Sequence, residues 1–130
     1  MAYRGACDKK MTIVEMGGQK VGVYHRSPTP GEYISYHQEK IRLKNGKVES
    51  NLAESNMKFG LKVIVGVRPG DLEYRENGAW KALDTDLLAE EEWRAILARD
   101  FFELVDFVGA RVFNPATDVD AGRETEEKKS

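Results

Sequence analysis

Two short runs rich in β-branched and aromatic residues open the patterned part of the chain, Met11 to Met16 and Val21 to His25, with Gly17-Gly18 between them. Glycine accepts the positive φ that a tight connection between antiparallel strands demands, so the pattern predicts a β-hairpin. Ser27-Pro28-Thr29-Pro30 then stops the second strand. Thr29, Pro30 and Glu32 fit the N-cap, N1 and N3 positions of a helix, where the threonine oxygen and the glutamate each satisfy a free amide. The spacing predicts a helix from Pro30 to about Lys44, with Tyr33, Ile34, His37 and Ile41 on one side and Asn45-Gly46 as its stop. A second helix is expected over Val48 to Val65, with Leu52, Asn56, Phe59 and Val63 on a shared face and a slight weakness at Gly60. Its last residues, Lys62 to Val65, have the composition of a strand.

Arg68-Pro69-Gly70-Asp71 reads as a turn. Leu72 to Arg75 and Ala79 to Leu83 flank Glu76-Asn77-Gly78 and predict a second hairpin with Asn-Gly at its tip. Asp84, Thr85 and Asp86 supply N-cap chemistry for the strongest pattern in the chain, a single helix from about Leu87 to Phe113. Trp93, Leu97, Phe101, Leu104, Val108 and Val112 recur along it at helical intervals, with Ile96 and Val105 alongside. Asn114-Pro115 ends it, and residues 116–130 offer almost no large apolar side chain. The expected organisation is a flexible leader over residues 1–10, a single domain over 11–113 and a disordered polar tail over 114–130. The expected fold class is α+β: two hairpins, joined in one small antiparallel sheet, packed with two shorter helices and one long C-terminal amphipathic helix.

Composition narrows the picture. The 130 residues suit one core. The one cysteine, Cys7, has no internal partner, so no disulfide framework is expected. The first ten residues lack the apolar segment of a secretory signal, and the longest apolar stretch, Leu61 to Val67, is too short to cross a bilayer. The expected location is cytoplasmic. The net charge of −2 divides unevenly: residues 1–65 carry 11 Lys/Arg against 6 Asp/Glu, residues 66–130 carry 9 against 16. Nucleic-acid binders are usually basic overall, and this chain is not.

Candidate chemistry is sparse. His25, His37 and Cys7 are isolated from one another in sequence, which does not suit a zinc site or a Cys–His nucleophile. Glu90, Glu91 and Glu92 are consecutive and point in different directions on a helix, where they complement its dipole. Gly66 to Gly70 lacks the lysine and hydroxyl residue of a phosphate loop. No cofactor, metal or catalytic residue is indicated. Arg42, Lys44 and Lys47 form a basic group at the end of the first expected helix, below Tyr33 and Tyr36. Such interleaving can bind single strands, but cations also suit a helix C-terminus. Phe102 and Phe107 fall off the main apolar stripe of the last helix, near Phe113. A helix apolar on more than one side must bury more than one side, so this helix either meets a partner, which can be a second copy, or is covered by the hairpins. The candidate protein-binding residues are therefore Phe102, Phe107, Phe113, Arg42, Lys44 and Lys47.

The order of segments carries a resemblance. A hairpin leads into Tyr24-His-Arg-Ser-Pro-Thr-Pro-Gly-Glu-Tyr33, a second helix ends in Phe59-Gly-Leu-Lys-Val-Ile-Val-Gly66, a strand pair surrounds Asn77-Gly-Ala-Trp80, and a long helix and polar tail follow. Over roughly residues 11–113 this resembles small proteins of the tail-gene clusters of long-tailed phages and prophages, especially tail assembly chaperones. The resemblance implies a non-enzymatic protein that binds phage tail components in the host cytoplasm, with no catalytic residue to carry over. Two other readings stand beside it: a structural virion component such as a head–tail or tail-tip protein, and a bacterial regulatory or nucleic-acid-binding module.

Overall fold

A computed structural model describes residues 9–114 of the chain. The expected leader and tail therefore lie almost wholly outside the described residues. The fold is α+β, with more and shorter elements than the sequence pattern predicts. Strands β1 (Lys10–Met16) and β2 (Gln19–His25) form the expected hairpin, paired from Lys10 opposite His25 to Met16 opposite Gln19. Strand β5 (Ile64–Val67) adds to the far side of β2, giving an antiparallel sheet in the order β1-β2-β5.

Helix α1 (Pro30–Glu39) begins as its residues dictate. Thr29 accepts a bond from the Glu32 amide, and the Glu32 carboxylate accepts from the Thr29 amide. The helix then stops five residues earlier than expected. Residues read as its last turn form β3 (Ile41–Lys44), which pairs with β4 (Lys47–Ser50). Asn45 and Gly46 both have positive φ, 53° and 75°. They turn a hairpin, where helix termination was expected, because two successive left-handed residues match the twist of paired strands.

Helix α2 (Leu52–Val63) starts later than expected and hands directly to β5, which accounts for the strand-like composition of its end. The third hairpin, β6 (Glu73–Glu76) with β7 (Ala79–Ala82), turns at Asn77-Gly78 as expected, but it is a two-stranded sheet of its own and not joined to the first hairpin, whose free side β5 takes instead. The expected single long helix is two. Helix α3 (Glu90–Asp100) and helix α4 (Phe102–Phe113) meet at Phe101, whose φ of −129° and ψ of 37° leave the helical region. The apolar stripe runs across the break, since Trp93, Ile96 and Leu97 on α3 and Leu104, Val105 and Val108 on α4 are all buried. Ala89, not the Asp84–Asp86 group, is the N-cap of α3, and it makes no side-chain cap.

One core joins the inner side of the sheet (Val14, Val21, Val23 and Val67) to the helices and to Tyr74 and Leu83 of the third hairpin region. Its tightest point is the crossing of α2 and α4. A Cβ on Gly60 would sit 2.5 Å from the Val105 carbonyl oxygen, and one on Gly109 would overlap the Asn56 carbonyl. The two backbones touch because both positions carry no side chain.

Candidate interaction surface

The aromatic candidates separate by their exposure and by their place along α4. Phe113 is 0% exposed and belongs to the core, not to a binding surface. Its ring stacks on Tyr36 at 4.9 Å and meets Phe59 edge-on at 5.6 Å, so α1, α2 and α4 share one aromatic cluster. The Tyr36 hydroxyl donates to the Asn56 side-chain oxygen inside that cluster. Burial, with Asp106 nearby, pushes the Tyr36 phenol above its ordinary range.

Phe107 lies off the buried side of α4 and Phe102 stands at its N-terminal end, and they remain 45% and 53% exposed. Phe107 lines a groove of about 310 Å³ with Val14, Glu15, Met16, Gly17, Glu103 and Leu104, between the end of β1 and the start of α4. A second depression, lined in part by Tyr74, Trp80, Arg99, Asp100 and Phe101, lies where the third hairpin meets the α3–α4 junction. Trp80 is 63% exposed there, and Arg99 is paired with Asp100 at 2.9 Å. Trp80 has a signal in the sequence: alternate residues of a short outer strand face solvent, and tryptophan is costly to leave there.

The basic candidates stand elsewhere than expected. Arg42 and Lys44 lie on β3 and Lys47 on β4, so they are not at a helix C-terminus, and Arg42 is opposite Glu49 in the ladder. Ile41 and Val48 of the same hairpin are exposed. Among the described side chains the hairpin exposes Ile41, Lys47, Val48 and Glu49, a mixture of charge and aliphatic groups.

Several other ionisable groups have structural partners. His25 Nε2 and Thr12 Oγ1 are 2.7 Å apart inside the sheet. Burial, then the positive charges of Lys10 and Arg111, hold the imidazole below its ordinary 6.5. His37 packs edge-on against Tyr33 and Tyr36. Asp71 accepts the Gly22 amide at 2.8 Å and the Arg68 Nε at 2.7 Å, which fixes the turn after β5 to β2. Arg26 grips both oxygens of Glu32 at 2.7 and 2.8 Å, and this pairing, helped by Thr29, lowers the Glu32 carboxyl to about 2. Glu90 pairs with Arg94 at 2.8 Å in the first turn of α3. Cys7 lies outside the described residues.

Among the described residues no three His, Cys, Asp or Glu side chains are grouped to hold a metal ion, and no helix is long and apolar enough to cross a membrane. Comparison of the chain with protein-family models, with curated proteins and with solved structures finds no match in any of the three.

Proposed function

We propose that this protein is a non-enzymatic binding protein of phage tail assembly, acting in the host cytoplasm on other tail components in the manner of a tail assembly chaperone. The observation that carries the binding role is the set of large aromatic side chains left in water on one small domain: Phe102, Phe107 and Trp80. Single exposed apolar residues are ordinary, but Phe107 and Trp80 each line a surface depression, and exposed aromatics at depressions are the composition of protein contact sites. The tail-assembly setting is supported by the order of hairpin, Pro-Thr-Pro helix entry, Phe-Gly helix and C-terminal helical segment described above.

An affinity capture of the tagged full chain from its own host during phage induction tests this reading. Recovery of tail-tube or tape-measure protein, lost when Phe102 and Phe107 are both changed to Ser, is the expected result. Recovery of nucleic acid, or of host proteins without any tail component, overturns it. Presence of the protein in purified particles favours a structural virion component instead.

A further inference from the structure

The two edges of the main sheet are treated differently. On β5 the outward groups of Val67 are occupied by Thr85, whose Oγ1 accepts the amide at 3.2 Å and lies 3.5 Å from the carbonyl. A side chain thus closes that edge against further pairing. On β1 no strand among the described residues takes the outer side.

The hydrogen-bonding direction of β1 follows from its turn. The two-residue connection Gly17-Gly18 makes Met16 and Gln19 the closing bonded pair, and bonded pairs then alternate along the hairpin. Thr12 and Val14 therefore bond to β2, while Met11, Ile13 and Glu15 turn their amides and carbonyls outward. Gly22, opposite Ile13, fits this parity, because its own amide and carbonyl turn away from β1 to Asp71 and Arg68. All three outward-facing residues are exposed. An edge of seven residues with two aliphatic side chains and no proline is a template for another strand.

Charge along this edge is polarised. Lys10 stands at its start, on the same side of the sheet as Thr12 and Val14. Glu103 stands at its other end, at the groove that Val14, Met16, Leu104 and Phe107 line, beside Glu15, whose cross-strand neighbour is Lys20. An edge with opposite charges at its two ends complements itself under a two-fold axis.

We infer that β1 pairs antiparallel with β1 of a second copy of this chain, across a two-fold axis at Ile13, to make a continuous six-stranded sheet in a homodimer. In this register Ile13 faces Ile13, Met11 faces Glu15, and each facing pair exchanges two N–H···O bonds. Lys10 of each copy falls opposite Met16 of the other, beside Glu103 at the mouth of the groove. The register keeps every residue of the strand opposite a partner, and a two-residue slip leaves a strand end unpaired and draws Lys10 away from Glu103. The inference goes beyond the tail-assembly reading and does not depend on it.

Sedimentation velocity on the full chain, up to about 100 μM, reads the association directly. A dimer is expected. Ile13→Lys sets two like charges on the axis and is expected to give a monomer with unchanged circular dichroism, since Ile13 faces water in the single copy. Lys10→Glu and Glu103→Lys are each expected to weaken association about tenfold, and the double variant to restore it, because residue 10 of one copy meets residue 103 of the other. Hydrogen exchange gives a separate reading: the amides of Met11, Ile13 and Glu15 gain protection with concentration, while those of Thr12 and Val14 are protected throughout. A chain that stays monomeric overturns the inference. So does a dimer that survives Ile13→Lys, or one whose charge variants are not restored in combination.

Discussion

Helix α4 has two unlike faces. Toward α2 it presents Gly109, Val105 and Phe113, where a single added methyl meets backbone and an aromatic ring closes a three-ring cluster. Toward solvent it presents Phe107, and its N-terminal end presents Phe102; both rings match Phe113 in size and are about half exposed. The contrast teaches that aromatic character on a helix does not say what the residue is for. The inner contact is constrained by shape on both sides, whereas Phe102 and Phe107 keep much of their surface in water. The inner face is therefore where stability resides, and the outer face is free to serve a partner.

Phe113→Ala should give the largest loss, about 3–5 kcal/mol, because it opens a cavity between Tyr36 and Phe59; chemical denaturation measures it. Gly109→Ala should cost about 1–3 kcal/mol or more by the same measurement, since the new methyl overlaps the Asn56 carbonyl and the helices must separate. A neutral effect there would show that the crossing is looser than described. Tyr36→Phe keeps the ring and removes only the bond to Asn56, leaving a buried acceptor unpaired, and should cost about 1–2 kcal/mol.

Away from the crossing, the Arg26–Glu32 pair gives a smaller, pH-dependent term. The Glu32 carboxyl is held at about 2, below its ordinary 4.5, so its contribution is present above pH 4.5 and is lost as pH falls from 4.5 toward 2. His25 acts in the same direction at higher pH: held below 6.5, it favours the fold while neutral, and that contribution declines as pH drops below 6.5. Glu32→Gln should lower stability by about 1 kcal/mol at neutral pH and flatten the acid limb of a stability–pH profile. Phe102→Ser and Phe107→Ser should be smallest, within about 0.5 kcal/mol, while abolishing capture of a partner. Unfolding in either variant would place that residue in the core and erase the distinction between the faces.

Legibility in the sequence followed the range of the interaction. The capping box of Thr29 and Glu32 and the turns at Gly17-Gly18 and Asn77-Gly78 were readable, because each involves neighbours in the chain. Asn45-Gly46 was misread with the same dipeptide in view. A helix stop and a hairpin turn both want left-handed residues, and the choice fell to β3 and β4, whose pairing no local pattern announced. The break at Phe101 was invisible for the related reason that Arg99-Asp100-Phe101-Phe102 contains neither glycine nor proline. Of the candidate residues, Phe102 and Phe107 are exposed, as their departure from the apolar stripe implies, and Phe113 is buried because α1 and α2 close over it; the exposure of Trp80 and of the β1 edge depends on which strands pair, which no local pattern announces.

The sequence by itself determined the α+β class, the start of α1, two of the three hairpins, and which residues of the last helical segment are apolar enough to be buried. Those features depend on backbone preference and on periodicity along one chain. Only the tertiary structure decided that Gly60 and Gly109 mark a helix crossing, that Phe113 closes the core while Phe107 flanks a groove, and that one edge of the sheet is closed by Thr85 while the other meets no strand among the described residues. Each of these is a relation between residues distant in sequence, fixed by close packing and by where backbone hydrogen bonds find partners.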